Sequence, residues 1–155
     1  MKGRIPVNQT QPAKDTVELL HQLNAGCKTA TNSVGQMMPY VQSKRLLHLL
    51  EDYNDKFIRI GDRCHQLLDQ SGAREEDLSA IGKAMVWITT AVKMNLNDDP
   101  CNAAQIMADG CRRGIESIEK ARRAYPQAQR STVELADELI YVQRQMRNDM
   151  NAFCR

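Results

Sequence analysis

Apolar residues recur along most of the chain at alternating spacings of three and four, the pattern of amphipathic helices. The first stripe is Val17, Leu20, Asn24, Cys27, Thr31, Val34 and Met38. Asp15 followed by Glu18 predicts a capping box at its start, and Gly35 with Pro39 marks its end. The second stripe is Leu46, Leu50, Tyr53, Phe57, Ile60, Cys64 and Leu67, closed by Ser71-Gly72. A third, over about 76–97, has Leu78, Ile81, Met85, Ile88, Val92 and Leu96. Asp99 and Pro100 then supply an N-cap and a first helical residue. The fourth stripe follows as Ala104, Met107, Cys111, Gly114, Ile118, Ala121 and Tyr125, stopped by Pro126. Ser131 with Glu134 predicts a second capping box, opening a last helix with Leu135, Leu139, Val142, Met146 and Phe153. Sustained period-two alternation is missing, so no strand is expected. The pattern predicts an all-α, antiparallel, up-and-down bundle of five helices over 15–155, after a flexible lead over 1–14.

Composition narrows the function classes. Aromatics are only 5% and there are eight Met, a mixture that suits helical cores. A net charge of +2 argues against a polyanionic partner such as nucleic acid. No apolar run reaches the length of a membrane helix, and Met1 to Pro12 lacks the apolar centre of a signal peptide. The five cysteines, an odd number without a C-x-x-C pair, predict reduced thiols, no zinc site and a cytoplasmic location.

Several segments carry a family likeness. Asn97-Asp98-Asp99, Ile106-Met107-Ala108-Asp109-Gly110, Gly114-Ile115-Glu116-Ser117-Ile118 and Ala124-Tyr125 resemble a bacterial family of ferritin-like four-helix bundles, mostly uncharacterised. The resemblance covers roughly residues 15–153 and rests on spacings and small residues. It implies a ferritin-like antiparallel bundle that tends to self-associate, with no assigned activity.

That likeness raises the question of a di-metal site, which in ferritin-like proteins is built from inward Glu and Glu-x-x-His groups. The chain offers Glu18-x-x-His21, Asp62-x-x-His65, Glu116-x-x-Glu119 and Glu134-x-x-Asp137. At about 100° per residue, Glu18 and His21 fall about 160° and 100° from their stripe. Asp62 and His65 fall about 155° and 95° from theirs, and Glu116 and Glu119 about 170° and 110°. These pairs are expected to point outward or sideways, so no metal and no other cofactor is expected. Cys27, Cys64 and Cys111 lie on stripes and are expected to fill the core as small hydrophobes; Cys154, near the chain end, is the expected reactive thiol. Gly110 and Gly114 are expected to let a neighbouring helix approach. Arg112, Arg113, Lys120, Arg122, Arg123 and Arg130 form the densest basic stretch, expected to be a solvated face with counter-charges.

The third stretch is apolar on two sides. Opposite its main stripe it carries Ala80, Ala84, Trp87, Ala91 and Met94, small residues around the only Trp. Such a face suits a homodimer or helical-partner contact, although a helix of the same chain could equally cover it. The leading expectation is a non-enzymatic helical module acting through self-association or partner binding. A ferritin-like di-metal oxidase or iron-handling protein stands second, and a thiol sensor or anion binder third.

Overall fold

In the computed structural model, residues 10–73 and 99–154 are described. They form four α-helices and one short 3-10 turn: α1 (Gln11–Met37), the turn Met38–Tyr40, α2 (Lys44–Gln70), α3 (Pro100–Ala124) and α4 (Arg130–Phe153). The segment expected to form a helix over 76–97, with Ala80, Ala84, Trp87, Ala91 and Met94, lies outside the described residues.

The helix ends follow local chemistry, with two corrections. Helix α1 begins inside the expected lead: Thr10 is its N-cap, accepting from the Ala13 amide at 3.3 Å, and Pro12 sits in the first turn where no N–H is needed. Asp15 is therefore not a cap. Helix α4 begins at Arg130 with no side-chain cap, so Ser131 and Glu134 form no capping box; Glu134 instead pairs with Arg130 at 3.0 Å. Elsewhere, Ser43 caps α2 through the Leu46 amide and Asp99 caps α3 through the Cys101 amide. Gly72, at φ +70°, closes α2 in the left-handed region that glycine tolerates.

Helices α1 and α2 pair as one hairpin and α3 and α4 as another, and the hairpins meet through α1–α3 and α2–α4. Contacts set the directions. Asp15 and Thr16 of α1 meet Gln127 and Gln129 just before α4, so α1 and α4 run parallel. Tyr53 of α2 bonds Asp149 near the end of α4, and Arg63 pairs with Glu138, so α2 and α4 run antiparallel. Helices α2 and α3 consequently point the same way, and Ala73 and Asp99 lie at opposite ends of the bundle.

The core is one apolar cluster reaching from Leu19 and Val34 through Leu50, Phe57 and Ile118 to Leu139 and Met150. On α2 the buried residues are those of the expected stripe, except that Leu68 replaces Leu67. On α1 the stripe is rotated: Leu19, Leu23 and Met37 are buried, whereas Val17, Thr31 and Met38 are only partly so. Polar Asn24 and Thr31 interrupted the apolar signal there, and Leu19 and Leu23 supply more apolar area than Val17 and Thr31.

One bond overturns the expectation of five reduced thiols. Cys101, in the first turn of α3, is joined to Cys154, just past α4, as a disulfide with a Cα–Cα separation of 4.9 Å. The antiparallel hairpin brings the two ends together. Cys154 is thus tied and is not the reactive thiol expected from its position.

Candidate functional site

The acids and histidines singled out in the sequence are dispersed. Among the described residues no group of three or more His, Cys, Asp or Glu comes together as a metal cage. Asp62 and Glu116 are exposed, while Glu18, His65 and Glu119 are partly buried. Glu116 pairs with Arg112 at 3.0 Å, and Glu119 with Arg144 at 2.9 Å. His21 departs from expectation: it is only 9% exposed. The rotation of α1 accounts for part of this, because Leu20, His21 and Asn24 are buried together with the Leu19–Leu23 face.

A buried carboxylate also exists where none was expected. Asp15 is 3% exposed and accepts from Gln11 Nε2 at 2.7 Å and from the Gln127 amide at 2.9 Å. Beside it, Thr16 Oγ1 accepts from the Gln129 amide at 2.8 Å and donates to the Pro12 carbonyl. These bonds give acceptors to two amides of the turn that leads into α4. Asp15 and Thr16 therefore clamp α1 to the α3–α4 turn.

Cys27, Cys64 and Cys111 are buried and unpaired as disulfides. Cys27 and Cys64 touch across α1 and α2; the hydrogen bond with Cys64 and burial push the Cys27 thiol far above its ordinary range. Burial pushes Cys111 up to about 12. A protonated, inaccessible thiol is a poor nucleophile and a poor metal ligand. Within the basic stretch, Arg112 and Arg113 share Asp109, Arg122 pairs with Asp137, and Arg130 with Glu134. The Arg112 and Arg113 hydrogen bonds hold the Asp109 carboxyl below the usual range.

A cleft of about 420 Å³ lies between α1 and α3. Small residues make its walls: Ala25, Gly26, Thr29 and Ser33 on α1, and Gly110, Gly114 and Ser117 on α3. Its floor is apolar, with Phe57, Met107, Ile118 and Met146. Gln22 and Arg113 also line it, and so does Gln143. Gln143 of α4 is 4% exposed, and its Oε1 has no hydrogen-bond partner among the described residues. Its amide lies over Gly114, where an added Cβ would collide with Nε2. Gly114 therefore makes room for a side chain of α4.

Neither the cleft nor Gln143 was singled out in the sequence. Gln143 follows Val142 on an otherwise apolar helix face, and a polar residue next to a buried position gives no sign of its depth. The pairing of Gly110 with Gly114 was the one available signal. Compared with family models, curated proteins and solved structures, the chain matches none.

Proposed function

We propose that this chain is a non-catalytic helical-bundle module that works by binding, with the ferritin-like arrangement its sequence suggests. The observation that carries this reading is a contrast between two surfaces. Most ionisable groups are spread over outer faces, and several of them pair with one another. The open concave surface is lined mainly by small and apolar side chains, with Gln22, Arg113 and Gln143 and no Asp, Glu or His among them, suited to contact rather than to proton transfer. The helix directions favour the ferritin-like part of the reading. Ala73 and Asp99 lie at opposite ends of the bundle, as do the two helix ends flanking the single long crossover of ferritin-like folds.

Self-association through Ala80, Ala84, Trp87, Ala91 and Met94 belongs to the same proposal and rests on their sequence pattern. Cytoplasmic residence loses the support it drew from reduced cysteines, because a disulfide persists against an oxidising poise. No described helix is long and apolar enough to cross a membrane.

Two measurements test the proposal. Metal analysis after anaerobic reconstitution should find no stoichiometric iron or manganese; two equivalents per chain would contradict it. Sedimentation should show a dimer of the wild type at tens of micromolar and a folded monomer for Trp87→Asp. A wild-type monomer at that concentration contradicts self-association.

A further inference from the structure

Going beyond the binding reading, we propose that Cys27 and Cys64 are a second disulfide site, which staples α1 to α2 when the chain folds in the presence of a small-molecule disulfide. The structure shows this pair in its thiol form. Three observations point to the bond.

The first is placement. Cys27 of α1 and Cys64 of α2 lie on facing helices, and their side chains hydrogen-bond to each other. Filling a core with small apolar groups does not require two sulfurs to meet. Cys111 of α3 is buried too, but its thiol is raised by burial and not by another thiol. The second is helix spacing. At Gly61, one turn before Cys64, an added Cβ would stand 3.5 Å from the Cβ of Cys27. Residues joined by a disulfide have Cβ atoms about 3.5–4.5 Å apart. The two backbones therefore already approach, beside this pair, as closely as a disulfide needs. The third is the other hairpin. Cys101–Cys154 joins α3 to α4, and such a bond forms where thiols meet an oxidant. The five cysteines then resolve into one bond in each hairpin, with Cys111 left over.

Access decides when the bond forms. Cys27 is 2% and Cys64 0% exposed, so no oxidant reaches them in the packed bundle. Their mutual hydrogen bond and burial hold Cys27 protonated, and the Glu138 carboxylate acts in the same direction while paired with Arg63. The exchange therefore belongs to the open chain, before α1 and α2 pack. There one cysteine thiolate attacks a low-molecular-weight disulfide, RSSR, and expels one RS⁻. The other thiolate attacks the cysteine sulfur of the mixed disulfide, which closes the Sγ–Sγ bond and expels the second RS⁻. The two protein thiols give up two protons and two electrons, and RSSR leaves as two RSH. Packing of the hairpin then seals the new bond from reductants.

Oxidative refolding tests this. The full-length chain is reduced and unfolded, refolded in a buffer of oxidised and reduced glutathione, and quenched in acid. It is then denatured with N-ethylmaleimide, digested and mapped by mass spectrometry. One alkylated cysteine per chain is expected, Cys111. A disulfide-linked peptide pair carrying Cys27 and Cys64 should appear beside the pair carrying Cys101 and Cys154. A Cys111→Ser chain treated in the same way should take up no label. If the reduced chain aggregates on refolding, export to a bacterial periplasm supplies the oxidant during folding, and the same map is read. Alkylation of Cys27 and Cys64 in the folded product, or a bond from either of them to Cys111, overturns the proposal.

Discussion

Helix α3 turns one side to α4 and another to α1, and the two contacts are built from different residues. Towards α4, Leu135, Leu139 and Ile140 of α4 and Ile115 and Ala121 of α3 are buried in the shared core. Ion pairs Arg122–Asp137 and Arg144–Glu119 flank this seam, and Cys101–Cys154 closes one end. Towards α1, the facing residues are mainly Gly, Ala, Ser and Thr, and a cleft remains. Small residues often draw helices together. Here the helices stay apart at this height, because larger core side chains such as Ile118 and Leu139 meet α1 at Gly26 and set the spacing. The lesson concerns volume: the same helix is sealed where its partners are large and open where both are small.

The largest effect is expected on the sealed side. Leu139→Ala should cost about 2–5 kcal/mol, through lost apolar transfer and the cavity left behind. Urea unfolding would measure it, and a loss under about 1 kcal/mol would mean the seam is not close-packed. Cys101→Ser should cost roughly 2–4 kcal/mol by freeing a loop of 53 residues in the unfolded chain. Reduction of the wild type should reproduce that loss, and a reducing agent without effect on thermal unfolding would refute the bond's role.

Smaller effects sharpen the picture. Asp15→Ala should cost about 1–3 kcal/mol, because the Gln127 amide then lacks its acceptor. Faster amide exchange at Gln127 should accompany it. Raising pH should weaken the protein through Cys111. Its thiol is raised from 9.0 to about 12, so its contribution is complete below the lower value and is lost as pH climbs towards the higher. Tyr53, raised by burial and by its bond to Asp149, acts in the same direction above 10.0. Unchanged urea midpoints up to about pH 11 would contradict both assignments. Least of all, Arg122→Ala should cost under about 1 kcal/mol, being an exposed pair. On the open side, Ala25→Leu should be accepted within about 1 kcal/mol, since the added volume enters the cleft.

Local features were legible in the sequence, and tertiary ones were not. The α2 stripe from Leu46 to Cys64 could be read directly because every member is apolar and, from Glu51 onward, nearly all the intervening residues are charged or polar. Asp99-Pro100 and Ser71-Gly72 could be read because caps depend on a few neighbouring residues. Asp15 looked like a cap because its true partner, the Gln127 amide, is 112 positions away. Thr10 followed by Pro12 was the better start signal and is visible in hindsight. The disulfide had a signal as well: the midpoint between Cys101 and Cys154 falls in the turn between α3 and α4, so an antiparallel hairpin sets them side by side. The cleft left no comparable trace, since emptiness between helices depends on how far apart other residues hold them.

The most direct test of this account is xenon titration of the native protein, read at the methionine methyls. Xenon enters apolar cavities of this kind without needing a hydrogen bond. Saturable shifts are expected at Met107 and Met146, which line the cleft, and none at Met37 or Met150, which are packed in the closed core. Uniform small shifts at all four, or no saturation at Met107 and Met146, would contradict an open cleft between α1 and α3.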